Sequence, residues 1–173
     1  MLKIQLLGSS VLREESTDIE ESEFDSSLKE LIEKMFKTMK KAKGVGLAAP
    51  QIGINKRLFV TAAPGDENRV FINPKIISYS IQTSTMEEGC LSIPGIWCDV
   101  VRPQKVVVSA YDTDGKEFTL KASGYLARVI QHEYDHLNGK VFIDYGDEET
   151  KKKALKKFAK WQNSKYVLLS SVL

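Results

Sequence analysis

Apolar residues recur at three- and four-residue steps from Phe24 to Met39. Phe24, Leu28, Leu31, Ile32, Met35, Phe36 and Met39 form one stripe, with Lys and Glu between them. That is the period of a helix with one buried face, and a Met- and Phe-rich stripe of this kind is core. Lys40, Lys41 and Lys43 suit the negative end of the helix, and Gly44 is expected to stop it. Before the helix, residues 1–12 read as an extended lead-in ending near Gly8-Ser9-Ser10, and Ser22 to Phe24 as the approach. After it, Gly44-Val45-Gly46-Leu47-Ala48-Ala49-Pro50-Gln51-Ile52-Gly53 predicts a tight loop, with glycines that let backbone approach a ligand closely.

The period then shortens. Arg57–Thr61 and Val70–Asn73 predict strands around a turn at Pro64-Gly65-Asp66, and Ile76–Ile81 a further strand. Val106–Tyr111, Asp114-Gly115 and Glu117–Leu120 predict a hairpin. Two helices close the chain. One runs from Gly124 to about Asn138, capped by Gly139. The other runs from Glu148 to about Asn163, with Leu155, Phe158, Ala159 and Trp161 on or near its inner face. The apolar tail Tyr166–Leu173 is expected to pack back on the domain or to meet another chain.

Composition narrows the class. A chain of 173 residues, 42% apolar and 28% charged, predicts one globular domain over 1–173. Lys+Arg of 25 against Asp+Glu of 23 leaves a formal charge of +2. That balance gives no overall reason to expect specific DNA binding or a membrane surface. No apolar run is long enough to cross a bilayer, and Met1-Leu2-Lys3-Ile4-Gln5 lacks the apolar run of a signal peptide. Two cysteines, Cys90 and Cys98, are too few for a disulfide scaffold, although one bridge is possible by count. A cytoplasmic protein is expected.

The chemistry concentrates in Gln131-His132-Glu133-Tyr134-Asp135-His136, which holds both histidines of the chain. On a helix, residues i and i+4 lie on one face, so two imidazoles can grip one metal ion. Glu133 then projects beside it, placed to take a proton from a coordinated water. A hydrolytic site of this kind needs a third protein ligand. Phe142 stands where one metalloprotease class would need a third histidine. Glu148 and Glu149 follow closely, inside a lysine-rich helix. A cysteine is the softest donor available, and Cys90 sits in Met86-Glu87-Glu88-Gly89-Cys90-Leu91-Ser92-Ile93-Pro94-Gly95, a stretch unfit for a regular helix. Cys98 is its competitor. Gln51, a long polar side chain among small and apolar neighbours, reads equally as a turn residue or a functional one.

Three segments together carry a resemblance. Gly44–Gln51, Glu88-Gly89-Cys90-Leu91-Ser92 and Gln131–His136 resemble the three motifs of the peptide deformylase family, in order and spacing, within a similarity covering about residues 1–160. The helical pattern after residue 148 resembles the bacterial subgroup whose chain ends in a helix. The resemblance implies an α+β fold, with antiparallel sheets packed around a central metal-binding His-Glu-x-x-His helix and with N- and C-terminal helices. It implies Cys90, His132 and His136 as metal ligands and Fe²⁺ as the working ion, with Zn²⁺, Ni²⁺ or Co²⁺ as substitutes. It further implies removal of the N-formyl group from the formylmethionine of nascent peptides, with release of formate. A divalent ion brings the pKa of bound water from ~15.7 toward neutrality. The resulting metal-bound hydroxide would attack the formyl carbon with Glu133 as general base and then acid. The Gln51 amide and the Leu91 N–H would hold the oxyanion.

For the N-formyl-methionyl peptide, the resemblance implies contacts from Val45, Gly46, Met86, Glu88, Gly89, Tyr125, Arg128 and Val129. Tyr125 and Arg128 depart from the apolar residues often found there and are expected to narrow or cap the pocket mouth. Trp97 stands where the family often has arginine. Glu88 and Arg102 are expected to pair, either supporting the site or as a surface ion pair. Lys151, Lys152, Lys153, Lys156, Lys157 and Lys160 crowd the last helix, and the resemblance implies a ribosome contact there. Two other readings share the motif: a metalloprotease or other amidohydrolase, and a metal-stabilised binding domain without catalysis.

Overall fold

The computed structural model describes residues 1–170, with side-chain surroundings up to residue 165. Helix α1 spans Ser26–Lys41. It starts two residues after Phe24 because the Asp25 carboxylate caps it, accepting from the N–H groups of Ser27 and Leu28 at 2.9 and 3.0 Å. Its stop is Lys43 rather than Gly44: Lys43 takes the left-handed conformation (φ 58°), and the Gly44 N–H returns to Met39 O.

Five strands form an antiparallel sheet in the order β1 (Gly46–Ala48), β2 (Leu58–Thr61), β3 (Arg69–Tyr79), β6 (Lys105–Tyr111) and β7 (Glu117–Ser123). The two strands expected at Val70–Asn73 and Ile76–Ile81 are one, β3. A register shift between Ile72 and Lys75 bends it, where Asn73 has φ 48° and Pro74 has no N–H to pair. The expected glycine loop is a short strand, β1, followed by a 3-10 turn over Ala49–Ile52.

Both faces of this sheet are covered, so β2 is buried throughout. Leu58 and Val60 point to α1, where they meet Ile32, Met35 and Met39. Phe59 points the other way, to helix α2 (Gly124–Leu137), joining Ala127, Ile130 and Leu137. It stacks there on Phe71 at 4.6 Å between ring centroids. Gly139, with φ 66°, ends α2 beside Arg13 O, where a Cβ would come within 2.6 Å.

A second sheet has two strands, β4 (Thr83–Cys90) and β5 (Ile93–Pro103). Helix α3 (Glu148–Ser170) lies on it through Ala154, Phe158 and Trp161. Leu155 and Ala159, expected near the inner face, are exposed. The spacing 154, 158, 161 is the helical face that meets Ile93, Ile96 and Val100. The expectation about the apolar tail Tyr166–Leu173 concerns side chains outside the described residues. Among the described residues, no helix is long and apolar enough to cross a membrane.

Candidate metal centre

Helix α2 is the seat of the site. Ala127, Ile130 and Leu137 anchor it to the large sheet, which turns His132, Glu133 and His136 toward the β4–β5 turn. Cys90 ends β4 at that turn. One donor atom from each of Cys90, His132 and His136 lies within 4.8 Å of the others, a span that one ion can bridge. Cys90 Sγ is 3.3 Å from His136 Nε2 and accepts from Gln51 Nε2 at 3.3 Å and from the Ser92 N–H at 3.4 Å. Cys98 lies elsewhere on β5, and both cysteines are free.

The orientation of His132 is fixed from outside. Its Nδ1 lies 2.8 Å from Glu88 Oε2, and a carboxylate only accepts, so Nδ1 carries the proton and Nε2 faces the site. Its ring stacks on Phe142. Glu88 is 6% exposed and not a surface residue. Burial pushes its pKa up, but hydrogen bonds with His132 and Arg102 outweigh burial and bring it to about 2. Arg102 gives Glu88 two bonds, at 2.6 and 3.0 Å, and donates to Asp135 Oδ2 at 2.7 Å. The Tyr145 ring lies 4.5 Å beneath the Arg102 guanidinium. The pairing of Glu88 with Arg102 is therefore internal support.

The two imidazoles are pushed in opposite directions. Burial lowers His132, but hydrogen bonds with Cys90 and Glu88 lift it well above the ordinary value. Burial and the neighbouring His132 charge hold His136 well below it. Glu133 is raised to about 7, chiefly by burial. Its Oε2 and His136 Nδ1 are buried without a hydrogen-bond partner. Two imidazoles and a thiol beside an unpaired carboxyl fit a divalent transition-metal ion with an attached water.

A cleft of about 440 Å³ opens onto this group. Gly46 permits the approach of Glu133, and Gly44 that of Leu91. A Cβ at Gly46 would collide with Glu133 Oε1, and one at Gly44 would lie 2.8 Å from Leu91 Cδ1. Gln51 sits beneath, with Oε1 accepting from the Ala48 N–H at 2.8 Å and Nε2 donating to Ser92 Oγ at 3.2 Å. Val45, Gly46, Gly89, Leu91, Tyr125 and Val129 line the cleft. Trp97 lines it too, 61% exposed, its ring lying over Gly89 where a Cβ would come within 2.6 Å.

Three of the residues expected to contact substrate have partners or positions that the sequence did not show. Arg128 lines the cleft but is only 4% exposed, and its guanidinium turns to Glu88, Ser84 and Val100 through four hydrogen bonds from its two Nη groups. Glu88 also lines the cleft, with its carboxylate oxygens engaged by Arg102, Arg128 and His132. Met86 is half-buried and outside the cleft lining; Arg128 bonds to Ser84 and Glu88, on either side of it along the same face of β4. Ser92, Ser84 and Tyr145 escape sequence reading as supporting residues, because nothing in their local pattern marks them.

The class defined by this fold and donor set is that of metalloenzymes. A family model described as polypeptide deformylase matches residues 1–152. A peptide deformylase of Borreliella burgdorferi is 46% identical over 155 residues, covering 87% of this chain and 90% of that protein. One of Treponema pallidum is 46% identical over 158 residues, covering 91% and 96%. Among solved structures, a peptide deformylase from Legionella pneumophila superposes with a TM-score of 0.90 at 42% identity, covering 96% of this chain and 98% of the other. One from Ehrlichia chaffeensis, in complex with actinonin, gives 0.89 at 38% identity, covering 92% and 96%. The chain belongs to the peptide deformylase family and is an enzyme of that class.

Proposed function

We propose that residues 1–173 form a single catalytic domain that removes the formyl group from N-formyl-methionyl ends of nascent peptides in the cytoplasm, using a divalent cation held by Cys90, His132 and His136. The convergence of those three donors beside an unpaired Glu133 carboxyl carries this reading. Such a cation supplies Lewis acidity and a water of lowered pKa. Fe²⁺ is the proposed working ion, with Zn²⁺, Ni²⁺ or Co²⁺ as substitutes. A thiolate and two imidazoles suit all four.

Glu133 takes one proton from the water as the oxygen adds to the formyl carbon, and a carboxyl titrating at about 7 suits that task. The oxyanion is held by the Leu91 N–H and the Gln51 amide, which exchanges one of its contacts in the cleft for this one. An oxyanion-hole donor is worth roughly 2.7–4 kcal/mol of barrier. Glu133 then passes its proton to the peptide nitrogen as the C–N bond breaks, leaving formate and a free amino terminus. The peptide lies along Val45, Gly46 and Gly89, with the methionine side chain toward Val129 and Tyr125. Glu88 acts through His132.

Lys152, Lys153, Lys156, Lys157 and Lys160 are exposed along α3, which supports a ribosomal RNA contact. Replacing them with Gln should weaken co-sedimentation with ribosomes and its salt dependence. Formate release from formyl-Met-Ala-Ser, measured anaerobically with each divalent metal supplied, tests the activity. No formate with any of them would overturn it, and cleavage of internal peptide bonds would point to a protease.

A further inference from the structure

The donors of the metal centre come from two separate elements: Cys90 from the β4–β5 hairpin, and His132 and His136 from α2. Their spacing therefore depends on what holds hairpin and helix together. Arg128 precedes His132 by one helical turn and shares its face. Its Nη1 donates to Glu88 Oε1 at 2.9 Å and to Val100 O at 2.8 Å. Its Nη2 donates to Ser84 O at 2.7 Å and to Ser84 Oγ at 3.1 Å. Ser84 and Glu88 belong to β4 and Val100 to β5, so one side chain grips both strands of the hairpin from the helix.

We propose that Arg128 is a positioning residue that clamps the β4–β5 hairpin to α2 and so sets the distance from the Cys90 sulfur to the two imidazoles. The proposal rests on the metal reading given above. Arg102 does not make the clamp redundant. It grips Glu88 from β5, within the same hairpin, and reaches α2 only through Asp135. Arg128 and Asp135 are thus two tethers placed before and after His132 along the helix. With Arg128 removed, α2 still meets the hairpin through His132 and Glu88, Gln131 and Pro103 O, and Asp135 and Arg102, but every tie one turn before His132 is lost, and Glu88 and two backbone carbonyls lose donors in a buried place. A lysine could not substitute fully, because one ammonium cannot span Ser84, Glu88 and Val100 in the planar fork of a guanidinium.

Arg128→Met keeps the stem and removes the donors. Metal-free protein titrated with Co²⁺ alone gives two readouts: the affinity, and the thiolate-to-cobalt absorption that reports Cys90 at the ion. Arg128→Met should bind Co²⁺ roughly 10–100-fold more weakly, with less thiolate absorption per bound ion and a fall in kcat exceeding any rise in KM. Arg128→Lys should recover only part of each, and it carries the same test should the Met variant not fold. Unchanged affinity and absorption in the folded variants, with only a lower melting temperature, would overturn the clamp. Wild-type protein that binds Co²⁺ without thiolate absorption would instead overturn the metal reading, and the clamp with it.

Discussion

The proposed chemistry turns on Glu133, whose setting is unusual for a carboxyl group. It is buried, one oxygen lacks a partner, and the other rests where Gly46 has no Cβ. Glu133→Gln keeps the shape and removes proton transfer. Formate release should fall about 10²–10⁴-fold, while metal content by elemental analysis stays unchanged; a variant that turns over normally would deny Glu133 its role. Gly46→Ala tests the same position from the other side. A methyl group there must push the carboxylate away, and a displacement of about 1 Å can cost 10²-fold. The expected result is a kcat lower by about that factor with the ion still bound. Cys90, His132, Glu133 and His136 stood out in the sequence as candidates because a helical i, i+4 pair and a soft donor are local signals. The inward course of Arg128 was not legible, since nothing near residue 128 shows that Glu88 and two carbonyls await it.

At the scale of elements, periodicity predicted what local burial dictates. The α1 stripe, the β6–β7 hairpin and α2 lie close to where the pattern puts them. The start of α1 depends on the Asp25 cap. Asp25→Ala should lower the urea midpoint of unfolding with an unchanged slope, because two N–H groups at the start of α1 lose their acceptor. The β4–β5 hairpin was not legible as strands. Its inward positions include Glu88 and Arg102, which break the apolar alternation and tolerate burial only because each satisfies the other. The course of β3 was split in two by Asn73-Pro74, a turn signal that the fold uses as a bulge.

Across the whole molecule, one exposed pair joins distant parts of the chain. Arg13 bonds both oxygens of Asp144, at 2.6 and 3.2 Å, tying the N-terminal segment to the turn before α3. Burial raises the Asp144 pKa, but the Arg13 hydrogen bond and the Val141 N–H outweigh it, and the net shift is downward from 3.8. A lowered folded pKa means stability that is fully present above the unfolded value and lost as pH falls through the folded one. Asp144→Asn should therefore destabilise the protein at neutral pH. The gap to wild type should close as pH drops below 3.8, as followed by thermal melts across an acid series.

By itself the sequence determined the period of each helix, the candidate donors and candidate base of the motif helix, and the family. These follow from residue type and spacing along one segment. Tertiary structure alone decided which acid meets which base across the hairpin–helix contact, and hence that Glu88, Arg102 and Arg128 lie inside. Such charges are stable in the interior only when partners from separate strands arrive together, a condition that spacing along the chain does not express.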